Sequence, residues 1–216
     1  MIVNVQSIIH IDCANNSNGA VDVSLTGGQA PYLYFWDNGG GNQQDLTNIA
    51  AGIYKLSVAD AKGCSDTLSI EITEPLPLSI SATQQDVSCH MGSNGTIETS
   101  VSGGEGQITY SIDGGAPQTN NIFSDLFGGT YTITAMDEAG CSASEMIEIL
   151  EPSPVIVTLV ETINVSCFGD STGIITIQIS GGTPNYTISF GGNDLVVSEG
   201  EMVSYDELLA GSYTIT

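Results

Sequence analysis

Five cysteines are the residues whose type and spacing best suit covalent chemistry in this chain: Cys13, Cys64, Cys89, Cys141 and Cys167. The interval from Cys13 to Cys64 is nearly equal to that from Cys89 to Cys141, and Cys167 begins a third interval that the sequence does not close. There is no Cys-x-x-Cys pair and no neighbouring pair of histidines to form a zinc site. The spacing therefore predicts the disulfides Cys13–Cys64 and Cys89–Cys141 and an oxidising, extracytoplasmic compartment. The partner of Cys167 stays open.

The charge balance limits the classes of partner. The 216 residues include 25 Asp and Glu but only two Lys and no Arg, which gives a formal net charge of −23. Nucleic acids and anionic membrane surfaces bind clustered cations, so the charge balance argues against both as partners. No apolar run is long enough for a membrane span. The acidity leaves two explanations open: self-repulsion that keeps exposed repeats soluble, and divalent-cation binding.

Turns that contain aspartate are where a calcium ion would find oxygen ligands. Such turns contain Asp37, Asp60, Asp113 and Asp137, but none of them matches a known calcium loop. The competing explanation is that each aspartate accepts hydrogen bonds from its own turn. We therefore expect no cofactor, with calcium as a weak alternative and no assigned metal ligands.

Catalysis has little support among the side chains. The two histidines, His10 and His90, lie beside cysteine turns, and neither is accompanied by a nucleophile and an orienting acid. The acids differ from one copy of the repeated pattern to the next, so no carboxylate pair of the glycosidase type is preserved. We expect the chain not to be an enzyme.

An internal repeat positions these residues. A Gly pair followed by an apolar strand begins at residues 27, 103 and 181, which indicates a tandem array of small domains. We place the repeats at residues 1–77, 78–154 and 155–216, and expect the third to continue beyond this sequence. Short Glu-Pro segments between the repeats should act as semi-rigid joints.

Short runs of alternating apolar and polar residues, separated by Gly, Asn and Asp, are typical of β-strands and their turns. Val21, Val23 and Leu25 show this period of two in the first repeat, with a polar residue between each pair. We count about seven short strands per repeat, which is typical of an immunoglobulin-like sandwich. The predicted fold is all-β, with tandem immunoglobulin-like antiparallel β-sandwich repeats that form an extended rod.

The aromatic strand of the first repeat has two different faces. Tyr32, Tyr34 and Trp36 alternate, and we interpret them as a core row and not as a ligand platform. Leu33 and Phe35 lie on the opposite face, where the other two repeats have hydroxyl residues. Either a loop covers this apolar pair or it marks a contact surface.

The ordered set of these features resembles the SprB repeat, which is found in giant surface adhesins of Bacteroidetes, including gliding bacteria. The first repeat contains the pattern nearly whole, at Cys13, Gly19, Gly27-Gly28, Pro31-Tyr32, Trp36, Ala51-Gly52, Tyr54, Asp60, Gly63-Cys64 and Glu74-Pro75. The second repeat departs from it at Gly106, Ile108 and Ile112, and the third at Asn185 and Phe190.

The resemblance implies a repetitive stalk or filament segment of a large secreted cell-surface adhesin, located outside the cell. Surface attachment and gliding motility would be its functions, and an extracellular polysaccharide or a solid surface its partner. It also implies export by the type IX secretion route, anchoring at the surface and self-association into filaments. The alternative is an array of polysaccharide-binding modules with the aromatic region of the first repeat as the ligand face.

Two short segments resemble the O-glycosylation motif of Bacteroidetes, in which an Asp precedes Ser or Thr and then an apolar residue. They are Asp66-Thr67-Leu68 and, less closely, Asp170-Ser171-Thr172. The resemblance marks Thr67 and Ser171 as candidate modified residues.

Overall fold

Strands form the regular secondary structure of residues 1–215, the part of the chain that the computed structural model describes, and no helix lies among these residues. The first repeat contains β1 (Ile2–Ile9), β2 (Gly19–Thr26), β3 (Leu33–Trp36), β4 (Leu46–Ile49), β5 (Gly52–Ala59) and β6 (Ser65–Ile72). The second contains β7 (Ser79–Gln85), β8 (Gly95–Ser102), β9 (Thr109–Ile112), β10 (Ile122–Leu126), β11 (Gly129–Met136) and β12 (Ser142–Ile149). The third contains β13 (Ile156–Ile163), β14 (Gly173–Ser180), β15 (Tyr186–Phe190), β16 (Asn193–Val197) and β17 (Met202–Leu208).

Each repeat divides its strands between two sheets. The orders are β1-β2-β4 and β3-β5-β6 in the first repeat, β10-β8-β7 and β12-β11-β9 in the second, and β13-β14-β17 and β15-β16 in the third. Neighbouring strands run antiparallel. The prediction of tandem immunoglobulin-like antiparallel sandwiches is therefore confirmed.

The predicted strand number is one too high, since the first and second repeats have six strands each. The residues between β3 and β4 form turns with a single bridge, Trp36 to Gly41, and add no strand. The third repeat differs because its corresponding segment forms β16, which pairs with β15. Residues 212–215 of the third repeat correspond to the beginning of β5 and β11, but they have no regular structure.

The core of the first repeat lies between its two sheets. Val21 and Val23 of β2 face Trp36 of β3 and Leu56 of β5, and all four are at most 1% exposed. Burial of one such side chain contributes about 1.5–3 kcal/mol to folding. The Trp36 indole N–H donates to the Gln43 carbonyl at 3.0 Å, so its polar atom is satisfied inside the core.

The inward row of the aromatic strand is confirmed as core. Tyr32 and Tyr34 are half-buried and pack against the cluster that contains Trp36. In the third repeat Tyr186 and Ile188 occupy the same row and are buried. The aromatic pattern therefore reflects packing inside the sandwich.

The Gly pairs hold the linkers that enter the second and third repeats. Gly103 has φ 76°, and a Cβ there would lie 2.1 Å from the Pro77 carbonyl oxygen, so a larger residue is excluded. Gly181 repeats the arrangement, with φ 75° and the same 2.1 Å to the Pro154 oxygen. In both repeats the amide of the next glycine donates to the linker, at 3.2 and 2.7 Å.

The described chain divides into two compact units. The first consists of Met1–Ala82, Thr99–Asn121 and Thr132–Met146, and the second of Thr83–Glu98, Ile122–Tyr131 and the chain from Ile147 onward. The division passes through the second repeat. The repeat boundaries at residues 77 and 154 therefore stay a prediction.

Candidate functional site

Each complete repeat has two cysteine turns, and in the first repeat they lie at opposite ends of the sandwich. The second cysteine turn, Asp60–Cys64, directly precedes β6. The first cysteine turn, residues 12–19, lies beside the other end of β6, because the Ile11 amide donates to the Thr73 carbonyl just after that strand. A strand of eight residues is about 27 Å long. A disulfide requires Cα atoms about 4.4–6.8 Å apart, so the two cysteines of one repeat cannot bond.

The disulfide in the structure joins two repeats. Cys13 of the first repeat bonds to Cys141 of the second, with their Cα atoms 5.5 Å apart. Cys64, Cys89 and Cys167 are free and exposed. The predicted pairs Cys13–Cys64 and Cys89–Cys141 are therefore wrong. The spacing showed that the cysteines recur with the repeat, but it could not show which end of the sandwich each one occupies.

Aspartate carboxylates hold the second cysteine turns. Asp60 accepts hydrogen bonds from the amides of Lys62 and Cys64 at 2.9 Å each and from Gln29 at 3.1 Å. Asp137 accepts from Cys141 at 2.8 Å, and from Glu105, the equivalent of Gln29, at 3.0 Å. Each turn is thereby fixed to the loop that follows the Gly pair of its own repeat.

Glutamate carboxylates hold the first cysteine turns. Glu74 accepts from the Asn15 amide at 2.7 Å, and Glu151 accepts from the Met91 amide at 3.1 Å. These are the glutamates of the Glu-Pro segments, for which the sequence predicts only the role of joints. Their recurrence directly after the last strand of each complete repeat was the signal for this second role.

The environment of Asp60 keeps it charged. Desolvation by burial acts to raise the pKa of Asp60, but the hydrogen bonds from the amides of Cys64, Gln29 and Lys62 outweigh it. The positive chain N-terminus adds to them, and the net effect lowers the pKa below its ordinary value. The carboxylate therefore remains an acceptor for the turn at neutral pH.

The aspartates proposed as calcium ligands also bond to the backbone. Asp37 accepts from the Lys55 amide at 2.7 Å, and Asp113 accepts from the Thr132 amide at 2.8 Å. Among residues 1–215 no group of three or more His, Cys, Asp or Glu side chains is placed to hold a metal ion. Calcium binding stays a prediction, and it would compete with these hydrogen bonds.

The outer face of the sheet β3-β5-β6 exposes the apolar pair singled out by the repeat comparison. Leu33 is 73% exposed and Phe35 is 60% exposed, so the alternative that a loop covers them is wrong. β3 is an edge strand, and Phe35 lies opposite Ser57 of β5, which lies opposite Thr67 of β6. We call the face formed by Leu33, Phe35, Ser57 and Thr67 the outer patch.

Both candidate glycosylation residues are accessible. Thr67 is exposed in the outer patch, and Ser171 is exposed in a turn before β14. Asp66 has a structural role: the Val3 amide lowers its pKa most, followed by the Thr67 amide, and both donate to its carboxylate at 2.9 Å. Glycosylation of Thr67 and Ser171 stays a prediction.

The histidines contribute to the end of the sandwich that contains the first cysteine turn. The Thr73 amide donates to His10 Nδ1 at 3.1 Å, and His90 Nδ1 lies 3.5 Å from a Glu151 carboxylate oxygen. These contacts bind the turn to the chain that leaves the repeat.

In the described part of the chain, no helix is long and apolar enough to cross a membrane.

Solved structures similar to this chain include tandem immunoglobulin domains. Titin domains I67–I69 match with 14% identity over 97% of this chain and 89% of that chain, at a TM-score of 0.41. Sidekick-1 immunoglobulin domains 1–5 match with 10% identity over 97% of this chain and 54% of that one, at a TM-score of 0.36. Domains 4–9 of the surface layer protein SbsC match with 11% identity over 99% of this chain and 46% of that one, at a TM-score of 0.31. These identities are too low to bear on function.

No curated protein is significantly similar to the chain. The model of the SprB repeat matches three times, at residues 10–41, 81–117 and 159–194. Each match contains a first cysteine turn, the strand after it, the Gly pair and the aromatic strand or its equivalent. Repeats of this family and immunoglobulin-like folds are typically structural modules without catalysis. The chain belongs to the SprB-repeat family.

Proposed function

We propose that the chain is a load-bearing structural segment of a large secreted cell-surface adhesin. Three SprB repeats on one sandwich scaffold support a repetitive surface-protein segment. The observation that supports the load-bearing role is the Cys13–Cys141 disulfide, which joins two successive repeats covalently. The acidic surface fits this role, because like charges on neighbouring chains prevent non-specific association.

The disulfide shortens the path that tension takes through the chain. When the two ends are pulled, force passes from β1 through Cys13 to Cys141 and on into β12. The strands from β2 to β11 lie inside the closed loop and are bypassed. The bonded cysteines are 128 residues apart, and at about 3.5 Å per extended residue the loop withholds about 450 Å of chain.

Single-molecule force spectroscopy on the whole chain tests this role. We expect the total unfolding length under oxidising conditions to be shorter by about 450 Å than the length measured with reductant. Cys13→Ser should give the longer length in both conditions, and Cys64→Ser should behave as wild type because Cys64 is free. Equal lengths with and without reductant would contradict the proposal.

The same proposal places the chain outside the cell, exported by the type IX route and anchored at the surface, with attachment and gliding motility as its contribution. Cys64 is exposed and unbonded, so it reports on location. A membrane-impermeant maleimide should label Cys64 on intact cells that produce the protein, and Cys64→Ser should reduce the labelling. Labelling of Cys64 only after lysis would argue against a surface location.

A polysaccharide-binding role is the second candidate, and the exposure of the outer patch favours it. An exposed aromatic ring next to a row of hydroxyl groups offers stacking and hydrogen bonds to a sugar. A polysaccharide array with wild type and Phe35→Ser tests it, with Met146→Ser as the control because Met146 is an exposed apolar residue of the second repeat. Binding that only Phe35→Ser removes would support this role. Absence of wild-type binding would favour the structural role alone.

A further inference from the structure

The chain contains three Asn-Gly pairs, and one of them differs from the other two in its surroundings. They are Asn18-Gly19, Asn38-Gly39 and Asn94-Gly95. An asparagine followed by glycine is especially prone to lose its side-chain amide, because a residue without Cβ leaves the next backbone nitrogen unhindered. The reaction also requires that the side chain and this nitrogen are free to approach each other.

Two of the pairs are held in the first cysteine turns. Asn94 Oδ1 accepts from the Ser88 amide at 3.1 Å, and Asn94 Nδ2 donates to the Ser88 hydroxyl at 3.1 Å. Asn18 Oδ1 accepts from the Asp12 amide at 3.5 Å. The glycine after each asparagine is buried, begins β2 or β8, and pairs with the neighbouring strand. Both pairs are therefore fixed by the sandwich.

The third pair, Asn38-Gly39, lies in the exposed turn after β3. Asn38 Nδ2 donates to the Ile53 carbonyl at 3.4 Å, near the long limit of a hydrogen bond. In the described part of the chain the Gly39 amide donates no hydrogen bond, and a Cβ on Gly39 would meet nothing within 4 Å. Asn38 and Gly39 have φ 55° and 83°, positive at both central residues as in a type I′ turn. No packed neighbour prevents their approach.

We propose that Asn38 is a site of spontaneous deamidation in the folded chain, and that the other two Asn-Gly pairs are protected. The Gly39 nitrogen attacks the side-chain carbonyl carbon of Asn38, and the new carbon–nitrogen bond closes a succinimide ring. The side-chain nitrogen leaves as ammonia and takes the proton of the Gly39 amide. Water then opens the ring at either carbonyl and gives aspartate or isoaspartate. The reaction needs no oxidant and does not depend on the load-bearing role.

The products alter the turn that packs on Trp36. The Trp36 amide donates to the Gly41 carbonyl at 2.9 Å, and a Cβ on Gly40 would lie 2.5 Å from the Trp36 Cβ, so the turn is closely packed. Isoaspartate inserts a methylene group into the backbone between these residues, whereas aspartate only adds a negative charge beside Asp37. Isoaspartate should therefore loosen the turn, which makes the modification an irreversible mark of age on the first repeat.

Peptide mapping of the whole chain during incubation at mildly alkaline pH tests the assignment. We expect Asn38 to convert at least about tenfold faster than Asn18 or Asn94, because a held pair reacts only after local opening. In urea the three pairs should react at similar rates, since their sequence is the same. A folded chain in which Asn38 stays intact, or in which Asn18 or Asn94 reacts as fast as Asn38, would overturn the proposal.

Asn38→Gly is the matched variant that lacks the reactive amide. Glycine occupies the equivalent position of the second repeat, where Gly114 follows Asp113 with φ 70°, so the turn should still form. Ion-exchange chromatography after the same incubation should resolve acidic species from wild type and none from Asn38→Gly. Equal amounts of acidic species from both proteins would place the reaction elsewhere and contradict the proposal.

Urea unfolding tests the effect on the turn. The isoaspartate fraction of wild type should unfold at a lower urea concentration than Asn38→Asp, which adds the charge without lengthening the backbone. Equal midpoints would show that the modification leaves the packing on Trp36 intact, against the proposed mark on the first repeat.

Discussion

The first and second repeats have the same hydrogen-bonded turns around different cores. β3 ends in Trp36, which is 1% exposed, whereas all four residues of β9 are half-buried. Yet Asp60 and Asp137 accept hydrogen bonds from equivalent amides at nearly equal distances. Tyr54 and Tyr131 are also equivalent. The hydroxyl of each donates to the carbonyl four residues earlier, at 3.0 Å in the first repeat and 3.1 Å in the second.

The comparison indicates that the turns, more than the identity of the core residues, define this repeat. Cores accept many combinations of apolar residues if the volume and the pattern are kept. The acceptor of a buried turn amide cannot be exchanged so freely, because an amide left without an acceptor costs about 1–3 kcal/mol. The aspartates and glutamates of the turns are therefore the residues that two repeats with different cores still share.

Replacement of Trp36 in β3 and of its equivalent Ile112 in β9 should show the largest difference in stability loss between the repeats. Trp36→Ala is expected to lower the free energy of unfolding by about 3–5 kcal/mol, as for other buried aromatic residues. Ile112→Ala, at the equivalent position of β9, should cost less because Ile112 is only half-buried. Urea unfolding followed by circular dichroism measures both losses. Equal losses would mean that the two cores are equally important.

Removal of the disulfide should have the next largest effect and should act on both repeats together. A bridge that closes a long loop contributes about 2–4 kcal/mol, chiefly by restricting the unfolded chain. We expect Cys13→Ser to lower stability by this amount and Cys64→Ser to leave it unchanged. A thiol assay of the unreduced, denatured wild type should find the three free cysteines of the structure. A single free thiol would instead support the pairs Cys13–Cys64 and Cys89–Cys141, each within one repeat.

The turn carboxylates should give a pH-dependent effect that the core replacements lack. The pKa of Asp60 is lowered in the folded chain, so its contribution to stability is complete above the ordinary aspartate value of 3.8. That contribution is lost as the pH falls further, through the lower folded-state pKa. Asp60→Asn should therefore lower the thermal unfolding midpoint at pH 7, and the difference from wild type should shrink below pH 3.8.

Thermal unfolding in calcium and in chelator separates this role from metal binding. The oxygens of Asp60 already accept backbone hydrogen bonds, so wild type should unfold at the same temperature in both solutions. A rise in calcium that Asp60→Asn abolishes would assign the carboxylate to a metal ion. Asp137→Asn serves as the matched variant in the second repeat, because its contacts are equivalent.

The sequence was sufficient for the all-β repeat and for the inward row of the aromatic strand, because alternation and turn residues are local signals. It also identified Leu33 and Phe35 as the positions where the repeats differ, and both are exposed. The cysteine pairing was wrong because a bond between repeats depends on which end of a strand each turn occupies. The interval from Cys13 to Cys64 alone does not contain that information.

The role of Glu74 in holding the first cysteine turn was missed for a similar reason. Its partner Asn15 is 59 residues away, so the contact exists only once β1 and β6 are placed beside each other. Long-range hydrogen bonds of this kind leave a repeated residue in the sequence but no local pattern. A repeated charged residue next to a proline is therefore evidence for a turn contact as well as for a joint.

Replacement of the exposed residues Leu33 and Phe35 of β3 should have the smallest effect on stability. Leu33→Ser together with Phe35→Ser should change the free energy of unfolding by no more than about 0.5 kcal/mol, since both side chains already face solvent. Tyr34→Ser, on the intervening residue, should be clearly destabilising because Tyr34 packs against the core. Urea unfolding measures stability, and adsorption of the chain to a hydrophobic bead measures the contact. If the double variant adsorbs as well as wild type, the outer patch is not a contact surface; if it is as unstable as Tyr34→Ser, the pair supports the fold.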